Sequence, residues 1–358
     1  MIVFFALLLI PIVIQHVTIR GHYIAYKKRN TKALSFFFFF LTILVMFRHE
    51  SVGADTSNYM RKFLAFDRMS WEQAGKDTIE IGFTYFNKFI SLFSKEPQFF
   101  LAVAAVTVSL LFFPTYKRLC VDASLTIVLY CIMSTFVMMF SGIRQMIAIG
   151  IGFIAYEFTR KKKLIPFILS VVFATTFHTS AFMLALMYPL YHSRITKKWL
   201  YVVVPVMALL FVFNRQIFSA LGTILMRYTK YDASIVSTGA YTMLLLFSAF
   251  AIFSFVIPDE ARMDVEIIGL RNFLLLSLAV QMFAPLHTIA MRMSYYYIIF
   301  IPLLIPKIIE YRSKRWNQVA IMGRHIMVTF FLIYFFMNAY TGVNLRVFPY
   351  HFFWEELI

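Results

Sequence analysis

Long apolar stretches recur along the whole chain and are separated by short polar segments. Many approach the roughly 20 residues that an α-helix needs to cross a bilayer. They do not alternate apolar and polar residues at every second position, as membrane β-strands do. The pattern predicts an all-α polytopic membrane protein with about twelve transmembrane helices. The predicted spans are 2–19, 33–47, 98–113, 124–140, 143–159, 164–178, 180–191, 199–213, 240–257, 267–289, 294–309 and 321–340.

The composition excludes an ordinary water-soluble domain. Of the 358 residues, 61% are hydrophobic and only 14% are charged, and the mean hydropathy is +0.76. Soluble domains carry about 25% charged residues. The chain is therefore expected to be an integral membrane protein.

The distribution of charge predicts the topology. The net charge is +17, but lysine and arginine concentrate in alternate loops such as "TRKKK", as the positive-inside rule requires, so membrane lipid rather than nucleic acid is the expected partner. Both termini then face outward, and a single membrane domain covers 1–358. The predicted external segments are the loops 48–97 and 214–239 and the tail 341–358.

The first external loop contains an amphipathic pattern, "EIGFTYFNKFISLFSK". At helical spacing its polar residues form one stripe and its apolar residues form the opposite face. The pattern predicts a helix that lies on the outer membrane surface or covers a cavity.

Arginines at the outer ends of spans are candidate phosphate ligands, since positive-inside bias does not explain them. Arg48 ends the second span, Arg144 lies in "SGIRQ" and Arg292 lies in "HTIAMRMS". A guanidinium offers a planar fork that fits phosphate oxygens. The alternative is that each arginine only reaches toward the membrane interface.

Two residues are candidate general bases on the same side. His178 lies in "TTFHTSAF" and Asp55 lies in "VGADTSNY". A histidine there can also simply bridge two helices, and Asp55 can cap the helix that follows it. The sequence contains no HExxH, DxD or Cys/His metal spacing, so no metal or other cofactor is predicted and a lipid-linked sugar donor is favoured over a nucleotide-linked one.

Four segments resemble signatures of the EpsG family, a branch of the Wzy-type polysaccharide polymerases. "FRHESVGADTSNYMRKF" resembles the first signature, with Ala54 and Thr56 in place of its commoner residues. "SGIRQMIAIGIGFIAYEF" resembles the second, an Arg-Gln pair that opens a membrane helix. "ATTFHTSAFMLALMYPL" resembles the third, and "FPYHFFW" resembles the C-terminal end. The matches occur in order and cover most of the chain.

The resemblance implies a polymerase at the outer face of the bacterial cytoplasmic membrane. It would have a membrane glycosyltransferase fold of the GT-C type and would work without a metal ion. It would transfer a growing glycan from polyprenyl diphosphate to the non-reducing end of an incoming lipid-linked repeat unit. A chain-length regulator and a flippase are candidate partners. On this basis the candidate site residues are Arg144, Arg292 and Arg48 for diphosphate binding, His178 and Asp55 for acceptor deprotonation, and Gln145, Tyr59 and Ser180 for substrate orientation.

Two alternatives remain open from the sequence. A lipid-linked glycan ligase or an acyltransferase would use the same face and differ in its acceptor or donor. A flippase or transporter of lipid-linked sugars would also need cationic groups, although such proteins commonly contain repeated halves with broken helices.

Overall fold

The computed structural model describes residues 2–16, 23–76, 79–225, 238–255, 264–313, 317–340 and 345–356. Within these residues the chain is helical and forms no β-strand, which confirms the predicted all-α class. The first half contains α1 (Ile2–His16), α2 (Tyr23–Met46), α3 (Thr56–Arg68), α4 (Trp71–Gly75), α5 (Ile81–Ser91), α6 (Pro97–Leu119), α7 (Ala123–Ile132), α8 (Ser134–Ser141) and α9 (Ile143–Arg160).

The second half contains further helices and two short 3-10 helices. In chain order these are α10 (Leu164–Phe177), a 3-10 helix (Thr179–Leu186), α11 (Met187–His192), a second 3-10 helix (Lys197–Trp199), α12 (Leu200–Val212), α13 (Asn214–Leu225), α14 (Thr238–Phe255), α15 (Val265–Gln281), α16 (Thr288–Ile298), α17 (Ile301–Ser313) and α18 (Asn317–Tyr340).

Several helices have the length and composition of membrane spans. Lys28–Met46, Pro97–Leu119 and Ile321–Ala339 meet both criteria as single helices. Three bent pairs meet them together, which gives up to six spans within the described residues. These helices are compatible with a polytopic membrane protein, whereas the count of about twelve spans and the GT-C architecture stay predictions.

Helix α6 shows how the sequence sets the ends of a long apolar helix. Pro97 occupies its first turn, where the N–H that proline lacks has no helical partner anyway. Lys117 and Arg118 lie in the last turn, where positive charge is favourable beside the exposed carbonyl groups.

Some predicted spans are broken. The stretch predicted at 124–140 divides at Met133 into α7 and α8, which meet at a bend of 68°. The stretch predicted at 180–191 begins as a 3-10 helix and continues as α11. Every residue of α7 is buried, so protein rather than lipid surrounds this break, which is the condition under which irregular backbone is tolerated in a membrane.

The predicted external segment 48–97 folds into α3, α4 and α5. Helix α3 packs on α5 and α6, and α5 also packs on α10. This arrangement places the beginning of α3 beside the junction between α8 and α9, and the beginning of α5 beside the junction between α10 and the first 3-10 helix. The candidate site residues lie at these junctions.

The C-terminal segment pairs with the chain that follows α2. The N–H of His49 donates to the carbonyl of His351 at 2.9 Å, and the N–H of Phe353 donates to the carbonyl of Phe47 at 2.9 Å. The Tyr350 hydroxyl donates to the carbonyl of Leu44 at 2.7 Å. The segment "FRHESVGADTSNYMRKF" and the C-terminal segment "FPYHFFW" therefore lie side by side and are hydrogen-bonded to each other.

Candidate active site

A cavity of about 130 Å³ lies where α3, α8, α9 and α16 approach the end of α10. It brings together residues that are far apart in the chain. Its lining consists of Asp55, Asn58, Tyr59, Met138, Gly142, Arg144, Gln145, His178 and Arg292. Most of the residues predicted to bind or transfer the substrate therefore share one cavity.

Asp55 immediately precedes α3, yet its side chain caps no helix N–H. The hydroxyl of Ser141, which ends α8, donates to Oδ2 of Asp55 at 3.4 Å and accepts from the Asp55 N–H at 3.2 Å. The capping role expected from local sequence is therefore wrong, because the carboxylate turns toward Ser141. Asp55 contributes a partly exposed carboxylate to the cavity.

Gln145 links two of the helices that form the cavity. It lies in the first turn of α9 with 2% of its surface exposed, and its Nε2 donates to the carbonyl of Arg292 at 2.6 Å. Its Oε1 is buried and has no hydrogen-bond partner within the described residues. The bond from Gln145 holds α16 against α9, so Arg144 and Arg292 reach the same cavity.

The two arginines of the cavity differ in their surroundings. Arg144 forms an ion pair with Glu80, with Nη1 2.5 Å from Oε2, while its buried Nε has no partner within the described residues. Arg292 is exposed, and its guanidinium has no ion-pair or hydrogen-bond partner among those residues. Arg292 therefore supplies uncompensated positive charge, whereas the charge of Arg144 is paired with Glu80.

His178 lies between α10 and the 3-10 helix. Its Nδ1 is 3.2 Å from Oε1 of Glu80, and its side chain is 18% exposed. Glu80 thus contacts both His178 and Arg144. Burial opposes ionisation of Glu80, but the hydrogen bond with His178 and the charge of Arg144 outweigh it and hold the pKa of Glu80 well below its usual range.

Tyr59 and Ser180 are placed differently. Tyr59 lines the cavity from α3, where burial raises the pKa of its hydroxyl and the nearby charge of Arg144 acts in the opposite direction. Ser180 lies on the 3-10 helix, and its hydroxyl is 3.1 Å from the hydroxyl of Tyr296. Ser180 does not line the cavity.

The structure does not bring Arg48 to the cavity. Its guanidinium is fully buried, donates from Nε to the Thr56 hydroxyl at 3.2 Å and also donates to the carbonyl of Val45. Burial lowers the pKa of Arg48 to about 10. These contacts join the end of α2 to the start of α3, so Arg48 shapes the segment that carries Asp55 instead of facing a diphosphate.

Sequence reasoning missed Glu80 as a site residue. In the sequence, Glu80 is only one position of the polar stripe in "EIGFTYFNKFISLFSK". Its partners are 64 and 98 residues away in the chain. No local pattern connects these positions, so only the packing of α5 on α10 reveals the contact.

The arrangement places an anion-binding group beside candidate bases. Arg292, Arg144 and the first turn of α9 all favour negative charge in the cavity. His178 and Asp55 line the same space and can accept a proton from a bound hydroxyl.

Comparison with known proteins gives one family. The model of the EpsG family matches residues 32–352, a range that includes every residue lining the cavity. No curated protein and no solved structure matches the chain. The helical, apolar-rich chain is thus a membrane protein, and it belongs to the EpsG family, the family of Wzy-type polysaccharide polymerases.

Proposed function

We propose that the chain is a metal-independent membrane glycosyltransferase that polymerises oligosaccharide repeat units. It transfers a growing glycan from polyprenyl diphosphate to the non-reducing end of an incoming lipid-linked repeat unit. The reaction takes place at the outer face of the bacterial cytoplasmic membrane, in a multi-pass protein. The observation that carries this proposal is the convergence of two arginines, a histidine and a carboxylate in one cavity.

The chemistry requires positive charge where the diphosphate departs. The acceptor oxygen bonds to the anomeric carbon of the glycan while the bond from that carbon to the diphosphate oxygen breaks. The electron pair stays on the leaving lipid diphosphate, and the acceptor proton passes to a base. The guanidinium groups of Arg292 and Arg144 stabilise the developing negative charge, since positive groups that are already positioned need no reorganisation during the reaction.

Gln145 and Tyr59 complete the proposed site. Gln145 orients the arginine that contacts the diphosphate, because its side chain donates a hydrogen bond to the backbone carbonyl of Arg292. The hydroxyl oxygen of Tyr59, which lines the cavity, can accept a hydrogen bond from a sugar hydroxyl. The cavity of about 130 Å³ holds the reacting groups, while the rest of both lipid-linked substrates extends beyond it.

Arg292→Ala is the sharpest test of the proposal. The Arg292 guanidinium has no described partner, so its removal is expected to leave the fold intact while lowering polymerisation by about 10²-fold or more. Glycan ladders from a deletion strain complemented with the variant would show loss of long chains at an unchanged protein level. Arg144→Ala is expected to have the same effect, with added destabilisation because the largely buried Glu80 carboxylate loses its ion-pair partner.

Arg215→Ala is the matched control, because Arg215 is also exposed but lies on α13 outside the cavity. It should give wild-type ladders. Full-length ladders from both Arg292→Ala and Arg144→Ala would contradict the proposal. Accumulation of single lipid-linked repeats in the inner leaflet would identify a flippase, whereas a defective polymerase leaves them in the outer leaflet.

A further inference from the structure

The Glu80 carboxylate joins His178 to Arg144. Oε1 is 3.2 Å from Nδ1 of His178, and Oε2 is 2.5 Å from Nη1 of Arg144. The backbone N–H of Thr179 also donates to Oε1 at 3.2 Å. The side chain of Glu80 is only 15% exposed. One largely buried carboxylate therefore fixes the His178 ring and the backbone next to it.

Helix packing determines where Glu80 lies. Two residues after Glu80, a Cβ placed on Gly82 would be 2.3 Å from the Thr176 hydroxyl oxygen, so α5 and α10 approach closely just before His178. At the other end of α5, Lys88 donates to the carbonyls of Asp67 and Met69 at 3.2 and 2.7 Å. Contacts at both ends of α5 therefore fix the position of Glu80 beside His178.

The ionisation of Glu80 determines which nitrogen of His178 is basic. A carboxylate can only accept hydrogen bonds, so Nδ1 of His178 must carry the proton that it shares with Glu80. The lone pair of the neutral imidazole is then on Nε2. Nε2 makes no hydrogen bond within the described part of the chain, and His178 lines the cavity.

We propose that Glu80 is the positioning residue that makes His178 the general base of the transfer. The proposal rests on the proposed function. In the reaction the proton of the acceptor hydroxyl passes to Nε2, the acceptor oxygen bonds to the anomeric carbon, and the lipid diphosphate leaves with the electron pair. Glu80 stays ionised and stabilises the imidazolium, as the carboxylate does in a Ser-His-Asp triad.

Several charged groups surround this pair. Arg144 pairs with the same carboxylate, and Asp55 and Arg292 line the same cavity as His178. Arg144 offers a second route by which Glu80 could act. The test must therefore separate an effect through His178 from an effect through Arg144.

The first measurement is the rate of Glu80→Gln with a purified lipid-linked repeat unit as substrate. We expect kcat to fall about 10²-fold with KM changed less than about threefold, because the base loses orientation while the binding groups remain. Glu80→Asp keeps the charge and should recover part of kcat. An unchanged kcat for Glu80→Gln, or a loss confined to KM, would overturn the proposal, and thermal unfolding in detergent checks that each variant is folded.

Double variants then identify the route. Glu80→Gln should slow the His178→Ala enzyme by less than about twofold, because a residue that acts through His178 has nothing left to act on. In the Asp55→Asn enzyme, Glu80→Gln should lower kcat by the same factor of about 10² as in the wild type, since Glu80 makes no contact with Asp55 in the structure. A full effect in His178→Ala but none in Arg144→Ala would show that Glu80 acts through Arg144, against the proposal.

The two proposals fail in different ways. If both Arg292→Ala and Arg144→Ala retain polymerisation, the proposed function is contradicted whatever Glu80 does. If Arg292→Ala is inactive while Glu80→Gln is fully active, the role of Glu80 alone is contradicted.

Discussion

At the residue scale, Gly53 shows why the first signature has its particular shape. Its φ is +88°, a region that L side chains rarely adopt, and its N–H donates to the carbonyl of Arg346 at 3.0 Å. A Cβ at this position would lie 2.2 Å from the carbonyl oxygen of Phe140. Thr56 closes the same turn by donating to the carbonyl of Val52 at 2.6 Å. The turn places Asp55 against Ser141 at the end of α8.

Gly53→Ala is expected to destabilise the protein by at least about 2 kcal/mol, because it adds backbone strain to a clash with main-chain atoms. Thermal unfolding in detergent measures the loss. Gly323→Ala is the matched control, since a Cβ there meets nothing within 4 Å and alanine is the better helix former. Equal melting temperatures for the two variants would contradict the assigned role of Gly53.

At the element scale, α5 is oriented in the opposite way to an amphipathic helix on the surface of a water-soluble protein. Its polar residues Thr84, Asn87 and Lys88 are buried against the protein. Its apolar side faces outward, with Phe89 57% and Phe93, just beyond the helix, 70% exposed. Such an apolar face would cost about 25 cal/mol per Å² in water. We infer that it contacts lipid, while the polar stripe supports the cavity from behind.

Spin labels can test this orientation. In a Cys120→Ala, Cys131→Ala background, a label at Phe89→Cys should collide often with oxygen and rarely with a water-soluble nickel reagent, because oxygen concentrates in the hydrocarbon. A label at Lys76→Cys is the control, since the Lys76 side chain is 74% exposed in an ion pair beyond α4. Equal nickel accessibility at both positions would place the apolar face of α5 in water.

Long apolar stretches predicted most of the helices, because side chains that face lipid or the protein interior must be apolar. The stretch 143–159 became α9 and 164–178 became α10 with nearly the expected ends. The break at Met133 could not be predicted, since α7 and α8 are equally apolar and buried on both sides of it. For the site, the predicted residues Arg144, Arg292 and His178 converge. The position of Arg48 at the outer end of a span did not indicate that Thr56 and Val45 enclose its guanidinium.

At the scale of the whole molecule, α9 relates the cavity to the predicted membrane orientation. Arg144 lies in its first turn beside the cavity, and Arg160 ends it next to the basic loop 161–163. Its 18 residues extend about 27 Å, close to the thickness of the hydrocarbon layer. If the basic loop faces the cytoplasm, the cavity lies at the outer surface.

Cysteine labelling in intact cells tests that orientation directly. Ala54 is exposed one residue before Asp55, and Lys162 is exposed in the basic loop at the other end of α9. In the background that lacks Cys120 and Cys131, a membrane-impermeant maleimide should label Ala54→Cys in whole cells, and Lys162→Cys only after the membrane is opened, because the reagent cannot cross the bilayer. The reverse pattern would place the cavity in the cytoplasm, where polymerisation at the outer face is impossible. Labelling of both positions in whole cells would mean that α9 does not separate the two compartments.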